Sequence, residues 1–173
     1  MNDNPAYFSG SSLWEEPRFE FVFEIRLHFT RVQNINNMPS GAGRGAVYLD
    51  SGEIKGPRLN GKAVPNSGGD YALFRPDEVL ALDARYMLEA DDGTLIMLYN
   101  RGYLWGRKQD TMQRIRDWIF RSGPRVPFED YYMRVFPTFE VETGPHDWLM
   151  RHAIVGIGQR ENDGNRIRYY AML

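Results

Sequence analysis

The most regular pattern of the chain lies at residues 18–29 (RFEFVFEIRLHF), where apolar and polar positions alternate. This alternation is typical of a β-strand with one apolar face, because successive side chains of a strand point to opposite sides. The apolar face consists of Phe19, Phe21, Phe23, Ile25, Leu27 and Phe29. We therefore predict a long first strand whose aromatic face packs into a core.

Short strand patterns separated by turns fill most of the remaining chain. Glycine and proline punctuate residues 41–70, where AVYLD and GKAVP fit short strands. Further strands are predicted at 71–74, 79–90, 94–103, 131–143, 148–158 and 166–173. Many short strands in hairpin succession predict an all-β fold, and closure into a barrel removes exposed strand edges.

One segment carries the pattern of a helix, at about 110–122. Its apolar residues Met112, Ile115, Trp118 and Ile119 fall on one face. Asp110 and Gln113 have the spacing of a capping box. The prediction is a single closed antiparallel β-barrel of about eight or more strands with this one inserted α-helix. Residues 1–17 are predicted to be a flexible N-terminal arm, and residues 18–173 the single barrel domain.

Charged residues interrupt the hairpin LDARYMLEADDGTLIMLYNRGY (82–103). If Gly93 takes the left-handed conformation of a bulged turn, Asp83 pairs with Arg101 and Arg85 with Tyr99. A two-residue turn shifts this register by one position. Both registers keep Asp83 and Arg85 on one face. That face either forms an ion pair on the wet outside of the barrel or lines a polar pocket inside it.

Composition narrows the function classes. The chain has 173 residues, a formal net charge of −2 and no cysteine. It lacks a signal-peptide pattern and an apolar run long enough to span a bilayer, so we expect a cytoplasmic protein with no membrane partner. The near-neutral charge gives no reason to expect nucleic-acid binding. The three histidines show no metal-ligand spacing, and nucleotide-binding motifs are absent, so neither a metal nor a cofactor is expected.

Four segments together resemble the uncharacterised UPF0311-type proteins, the family of domain of unknown function 3237. They are GEIKGPRLNGKAVPNSGGDY (52–71), LDARYMLEADDGTLIMLYNRGY (82–103), PTFEVETG (137–144) and WLMRHAIVGIGQR (148–160). The resemblance implies a small closed β-barrel similar to allene oxide cyclase and lipocalin barrels. It also implies recurring polar positions, which are Arg44, Arg58, Asp70, Asp83, Arg85, Asp92, Asn100, Arg101, Glu140, Thr143, Trp148 and Arg151.

Among the polar positions, those within apolar strand patterns are the candidates for chemistry. Asp83 and Glu140 are predicted to transfer a proton, while Arg85 and Arg101 orient carboxylates or stabilise an oxyanion. The predicted ligand-binding residues are Arg151, Tyr71, Tyr86, Tyr99, Asn100 and Trp148.

The first functional hypothesis is a cofactor-independent enzyme that catalyses isomerisation, cyclisation or elimination of a small hydrophobic or aromatic metabolite. The second is a non-catalytic barrel that binds such a ligand, as lipocalins do. The third is a structural barrel with a filled interior, such as a homodimer assembled through a sheet face. Analogy of fold alone does not choose between them.

Overall fold

The structure, a computed structural model, describes residues 16–173, so nearly all of the predicted arm lies outside the described residues. The strands are β1 (Phe19–Ile35), β2 (Gly43–Lys55), β3 (Gly61–Ala63), β4 (Gly69–Asp70), β5 (Leu73–Phe74), β6 (Val79–Ala90), β7 (Leu95–Gly106), β8 (Tyr131–Val141), β9 (Ile154–Arg160) and β10 (Gly164–Met172). The α-helix α1 spans Thr111–Arg121, and single 3₁₀ turns lie at Phe128–Asp130 and Asp147–Met150.

The strands close into a barrel. Antiparallel neighbours run in the order β1, β10, β9, β8, β7 and β6, and β1 also pairs with β2. The short strands β3, β4 and β5 share the remaining position, because each pairs with both β2 and β6. The predicted fold is confirmed as a closed eight-stranded antiparallel barrel with two extra strands and one helix within residues 16–173.

The first strand differs from its prediction at one point. A bulge shifts the pairing of β1 with β10 between Phe21 and Phe23. Val22 and Phe23 are consequently both buried, whereas Phe19 is exposed. Phe21 packs edge-on against Tyr170, with ring centroids 5.8 Å apart, on the outer surface. The prediction that all the odd-numbered residues share one face is therefore wrong for Phe19 and Phe21.

Helix α1 covers the end of the barrel at which β7 finishes. Met112, Ile115 and Trp118 are buried, as the helical pattern predicts. The predicted capping box is wrong, since Asp110 has φ 66° and its side chain makes no capping hydrogen bond. Left-handed backbone at Asp110 turns the carboxylate away from the amide groups of the first helical turn.

Side chains fill most of the barrel interior. Buried residues from all the long strands form the core, among them Phe23, Leu49, Leu88, Leu98 and Tyr169. The rings of Phe23 and Tyr169 lie 4.8 Å apart near the end of the barrel opposite α1. Polar side chains enter this core in its middle and below α1.

Candidate functional site

The hairpin of β6 and β7 adopts the bulged register. Asp83 lies opposite Arg101, and Arg85 lies opposite Tyr99. Gly93 has φ 88°, in the left-handed region, and its amide donates to the carbonyl of Ala90. The register in which Asp83, Arg85, Tyr99 and Arg101 share one face is thus confirmed.

That face points away from the barrel interior, so the inward orientation predicted for the site is wrong. The side chains of Asp83, Arg85 and Arg101 are 34%, 46% and 68% exposed. Asp83 accepts two hydrogen bonds from Arg85, at 3.2 and 3.1 Å, and lies 3.7 Å from Arg101. The opposite face of β6 carries Leu82, Ala84, Tyr86 and Leu88, all buried. Burying those apolar groups and leaving the charges hydrated is the cheaper arrangement.

The other predicted catalytic residue shares this outer surface. Glu140 is exposed and accepts a hydrogen bond of 3.3 Å from the Tyr99 hydroxyl. Tyr71 is 39% exposed, and its ring meets that of Tyr48. None of these residues lines the interior, and the predicted grouping of Asp83, Glu140, Arg85 and Arg101 around an internal pocket is not observed.

Two further predicted ligand-binding residues lie at the end of the barrel opposite α1. Trp148 packs against Phe23 and under the guanidinium of Arg58, which lies 3.9 Å from its ring centroid. Arg151 is exposed and pairs with Asp147 at 2.7 Å. Trp148 thus helps to close that end of the barrel, and Arg151 lies on its surface.

Tyr86 and Asn100 are the predicted site residues that the structure does place inside. They belong to a buried polar cluster that also contains residues from β4, β9 and β10. The cluster consists of Asp70, Tyr86, Asn100, Arg160, Asn165 and Tyr169, each no more than 8% exposed. We refer to these six residues as the interior polar cluster.

Asp70 reaches the interior because the chain before it passes unusually close to its neighbours. A Cβ atom on Gly68 would lie 1.9 Å from the carbonyl oxygen of Arg85, and one on Gly69 would lie 2.3 Å from that of Val47. Glycine at both positions lets β4 fit between β2 and β6. The alternation of the strand then directs the Asp70 side chain inwards.

The pKa of the Asp70 carboxyl lies close to neutral pH. Burial raises its pKa to about 6, and the negative charge of Asp83 adds to this. A hydrogen bond of 3.0 Å from the backbone N–H of Asp83 and the charge of Arg160 act in the opposite direction. Because burial dominates, both the acid and the carboxylate are populated near pH 6.

Arg160 is a buried cation with few partners. One guanidinium nitrogen, Nη1, donates to Oδ1 of Asn165 at 3.4 Å, whereas Nε has no hydrogen-bond partner among residues 16–173. Its backbone N–H donates to the Tyr131 hydroxyl at 3.0 Å. No carboxylate in the described part of the chain lies within 4.0 Å of the guanidinium. Burial lowers the pKa of Arg160, yet arginine remains charged at neutral pH.

Three further oxygen atoms of the interior polar cluster interact only with one another. The hydroxyls of Tyr86 and Tyr169 and Oδ1 of Asn100 lie within interaction range of each other, but within residues 16–173 none of them makes a hydrogen bond of good geometry. They lie close enough together for each to influence the pKa of its neighbours. Burial raises the pKa of both tyrosines, so both hydroxyls keep their protons and remain available as donors.

Two small cavities adjoin these groups. One of about 40 Å³ lies below α1 and is lined by Asp70, Arg160, Asn165, Ile119 and Phe120 among others. A second of about 10 Å³ lies deeper, against Asp70, Asn165, Tyr86 and Asn100. Asp70 and Asn165 line both, so the polar groups form a continuous path into the barrel. Cavities of this size accommodate only a few atoms.

Sequence reasoning missed Asp70, Arg160, Asn165 and Tyr169 as a group. Alternation in β9 and β10 offered a signal, because Arg160 shares the parity of buried Ile154, and Asn165 and Tyr169 share that of Ile167. Asp70 gave none beyond its recurrence in the resembled family, since β4 has only two residues.

Within residues 16–173, His, Asp and Glu side chains nowhere gather in threes as a metal site requires. The described part of the chain contains no helix with the length and apolar character needed to cross a bilayer.

Comparison with known proteins gives consistent results. The profile of a family described as "Protein of unknown function (DUF3237)" matches residues 17–172. A UPF0311 protein of Rhodopseudomonas palustris is 30% identical over 144 residues, which cover 83% of this chain and 89% of that protein.

Solved structures share the barrel. A protein with unknown function from Clostridium acetobutylicum has a TM-score of 0.81 at 27% identity, covering 92% of this chain and 99% of its own. A Penicillium herquei protein described as an enzyme has a TM-score of 0.66 at 18% identity, covering 94% and 99%. At that identity the second likeness concerns the fold alone.

Proposed function

The chain belongs to the DUF3237 family of proteins of unknown function, and from that premise we propose that it is an acid/base enzyme whose proton-transfer group is Asp70. The observation that carries the proposal is a buried carboxyl with a pKa of about 6 beside internal cavities. A general acid or base is most effective when its pKa lies near the working pH. Perturbed carboxyls in polar clefts are characteristic of functional sites.

The substrate class follows from the surroundings of Asp70. The cavities are walled by apolar residues such as Leu82 and Met133, and they contain few polar groups. These cavities take only the reacting end of a substrate, and a carbonyl next to an acidic C–H on a partly apolar organic molecule suits them. The reaction class is isomerisation, cyclisation or elimination.

Asp70 and its neighbours account for each proton and electron pair that moves in these reactions. Ionised Asp70 takes the proton from carbon, and the electron pair of that C–H bond moves onto the carbonyl oxygen as an enolate. The hydroxyl of Tyr86, which lines the deeper cavity, donates a hydrogen bond to that oxygen. Protonated Asp70 then returns the proton at another carbon to complete an isomerisation. In an elimination, the electron pair of the enolate breaks the bond to a leaving group on the neighbouring carbon, and that group departs with the proton from Asp70. In a cyclisation, the enolate carbon forms a bond to an electrophilic carbon of the same molecule, and Asp70 protonates the oxygen that receives the displaced electron pair.

Unpartnered polar groups in a core are costly, and this cost supports a functional role for the cluster. Each buried donor or acceptor without a partner lowers the free energy of unfolding by roughly 1 to 3 kcal/mol. Tyr86, Asn100, Arg160 and Tyr169 each contribute at least one such atom within the described residues. Polar groups that stabilise neither themselves nor their neighbours are expected where a substrate completes their hydrogen bonds. The Penicillium herquei enzyme indicates further that this barrel can accommodate catalysis.

The test is deuterium incorporation from D₂O into a panel of small cyclic and aryl ketones and enones, followed by mass spectrometry. The wild type is expected to catalyse exchange into at least one member, and Asp70→Asn is expected to lose about 100-fold or more of that rate. Asparagine keeps an oxygen to accept the N–H of Asp83, which protects the fold.

The matched control is Glu140→Gln, which removes a carboxylate from the outer surface that does not act on Asp70. It should retain the wild-type exchange rate. Exchange that survives Asp70→Asn contradicts the proposed role of Asp70. Tight binding of a panel member without any exchange favours the alternative of a ligand-binding barrel.

A further inference from the structure

A large cleft opens on the outside of the barrel next to the interior polar cluster. Its volume is about 430 Å³, and it lies between the C-terminal end of α1, the end of β1 and the turn between β9 and β10. Phe29, Val32, Trp118 and Ile119 provide apolar walls, and Arg125 lies at the exposed rim. A space of this size suits the body of a small organic ligand.

A shared wall separates the cleft from the internal cavity of about 40 Å³. Ile119 and Arg160 line both spaces, one from the helix and one from the end of β9. The guanidinium of Arg160 also lies 5.7 Å from the ring centroid of Phe29, a wall of the cleft. A ligand seated in the cleft therefore meets Arg160 before it reaches Asp70.

Arg160 is equipped to bind an anion at this position. The residue is 7% exposed, and its Nε finds no hydrogen-bond partner among the described residues. The nearest acidic groups, Asp163 and Asp70, act on Arg160 only through space. Asp163 also lines the cleft, but its carboxylate is already hydrogen-bonded to His28 at 2.8 Å. A buried cation with no carboxylate in direct contact is costly, and a ligand oxyanion relieves that cost. Guanidinium groups bind carboxylates and similar oxyanions through parallel N–H donors. The exposed arginines of the outer surface are different, because Arg26, Arg85 and Arg166 already have carboxylate partners.

We propose that the substrate of the Asp70 site is an apolar, ring-sized molecule that bears an anionic oxygen, with its body in the cleft and its oxyanion on Arg160. This inference rests on the proposed function and specifies its substrate class. The internal cavities of about 40 and 10 Å³ admit only the reacting end.

The test compares two fluorescent probes that share a phenylnaphthylamine skeleton. One is 1-anilinonaphthalene-8-sulfonate, which is anionic, and the other is N-phenyl-1-naphthylamine, which is neutral. The wild type is expected to bind the anionic probe about tenfold more tightly or better. Arg160→Gln should remove this preference, and Arg160→Lys should retain a part of it.

The matched controls locate the site and separate charge from folding. Arg168→Gln removes a cation from the outer surface of β10 and should leave the preference unchanged. Trp118→Leu should weaken both probes alike, because it alters only an apolar wall. Thermal unfolding of each variant checks that it folds. If Arg160→Gln does not fold, the binding result for Arg160→Lys decides.

The outcomes are distinct from those of the exchange experiment. Equal affinities for the two probes in the wild type, or a preference that persists in Arg160→Gln, overturn the anion site. Asp70→Asn should bind the anionic probe at least as tightly as the wild type, since it removes a negative charge nearby. Loss of exchange in Asp70→Asn with no anion preference would support the proposed function and reject only the substrate class.

Discussion

Replacing Asp70 with asparagine is expected to make the protein more stable than the wild type at pH 7.5 but not at pH 3.5. Burial raises the pKa of Asp70 to about 6 in the folded state, whereas an unfolded chain has the ordinary value near 3.9. The folded state therefore binds the proton more tightly. Protonation of Asp70 favours folding below about pH 4, and this contribution is lost as the pH rises through about 6.

The size of the effect follows from the shift. About two pKa units correspond to about 3 kcal/mol of unfolding free energy, and Asp70 is buried enough for solvent screening to be small. Chemical denaturation of wild type and Asp70→Asn between pH 3.5 and 7.5 measures the difference directly. The difference should grow with pH in favour of the variant. A difference that is constant, or that grows in favour of the wild type, would show that Asp70 is not a destabilised carboxylate.

Glu140→Gln is the control for this experiment as well. Its carboxylate lies on the outer surface and accepts one hydrogen bond, from the Tyr99 hydroxyl at 3.3 Å. Glutamine keeps an oxygen that accepts this bond. The variant is therefore expected to match the stability of the wild type within about 0.5 kcal/mol at every pH.

Removing the hydroxyl of Tyr86 or Tyr169 is expected to leave the protein equally stable or to stabilise it. Each hydroxyl interacts only with the other hydroxyl and with Asn100, and it makes no hydrogen bond of good geometry within residues 16–173. Tyr→Phe therefore loses little and relieves the cost of burying the group, and each substitution should raise the free energy of unfolding by roughly 0 to 2 kcal/mol. The exchange activity should fall in Tyr86→Phe, because the oxyanion loses its donor, and less in Tyr169→Phe.

Tyr131→Phe is the matched comparison. This tyrosine is equally buried, but its hydroxyl accepts the backbone N–H of Arg160 at 3.0 Å across the opening between β8 and β9. Its loss leaves a buried donor unsatisfied and should cost about 1 to 3 kcal/mol. Denaturation of the three variants in parallel is the measurement. Destabilisation of all three to the same extent would mean that Tyr86 and Tyr169 are ordinary structural residues.

The opposite signs expected for these tyrosines separate function from stability. A core that served only the fold would satisfy its polar groups or omit them. Here the interior polar cluster combines a carboxyl whose pKa is raised to about 6 with a guanidinium whose Nε has no hydrogen-bond partner within the described residues. It also contains two tyrosine hydroxyls that make no hydrogen bond of good geometry within those residues. Their cost is understandable if they are arranged for a ligand.

The barrel itself could be predicted from local patterns. Alternation identified β1, β6 and β7, and the Asp-Asp-Gly turn gave the correct register of the hairpin. The bulge at Val22 could not be foreseen, because nothing in the alternating segment distinguishes one position from the next. Asp110 adopts a left-handed conformation that the capping pattern does not reveal.

The main error of the sequence prediction concerned which side of the β6–β7 hairpin faces the core, and this error has a physical cause. The charged residues of β6 drew attention because they interrupt an apolar pattern. Tyr86, Leu82 and Leu88 share the opposite parity, and their burial outweighs any use of Asp83 inside the barrel. Polar residues that share the parity of the apolar set, such as Asn100 and Arg160, are the better indicators of an internal site.

The interior polar cluster also depends on contacts between distant segments. Asp70 comes from a strand of two residues, and it meets Arg160 and Asn165 only because the barrel closes. No local sequence pattern indicates that these three side chains come together. Recurrence of Asp70 in the resembled family was the one sequence signal.

The central claim is that the barrel holds a carboxyl tuned for proton transfer at Asp70. Its most direct test is the titration of Asp70 by carbon-detected NMR of protein labelled at the aspartate carboxyls, assigned by comparison with Asp70→Asn. The predicted midpoint for Asp70 is about pH 6, caused by its burial. A midpoint near the ordinary value of about 4 would show a solvated carboxylate and would contradict the account.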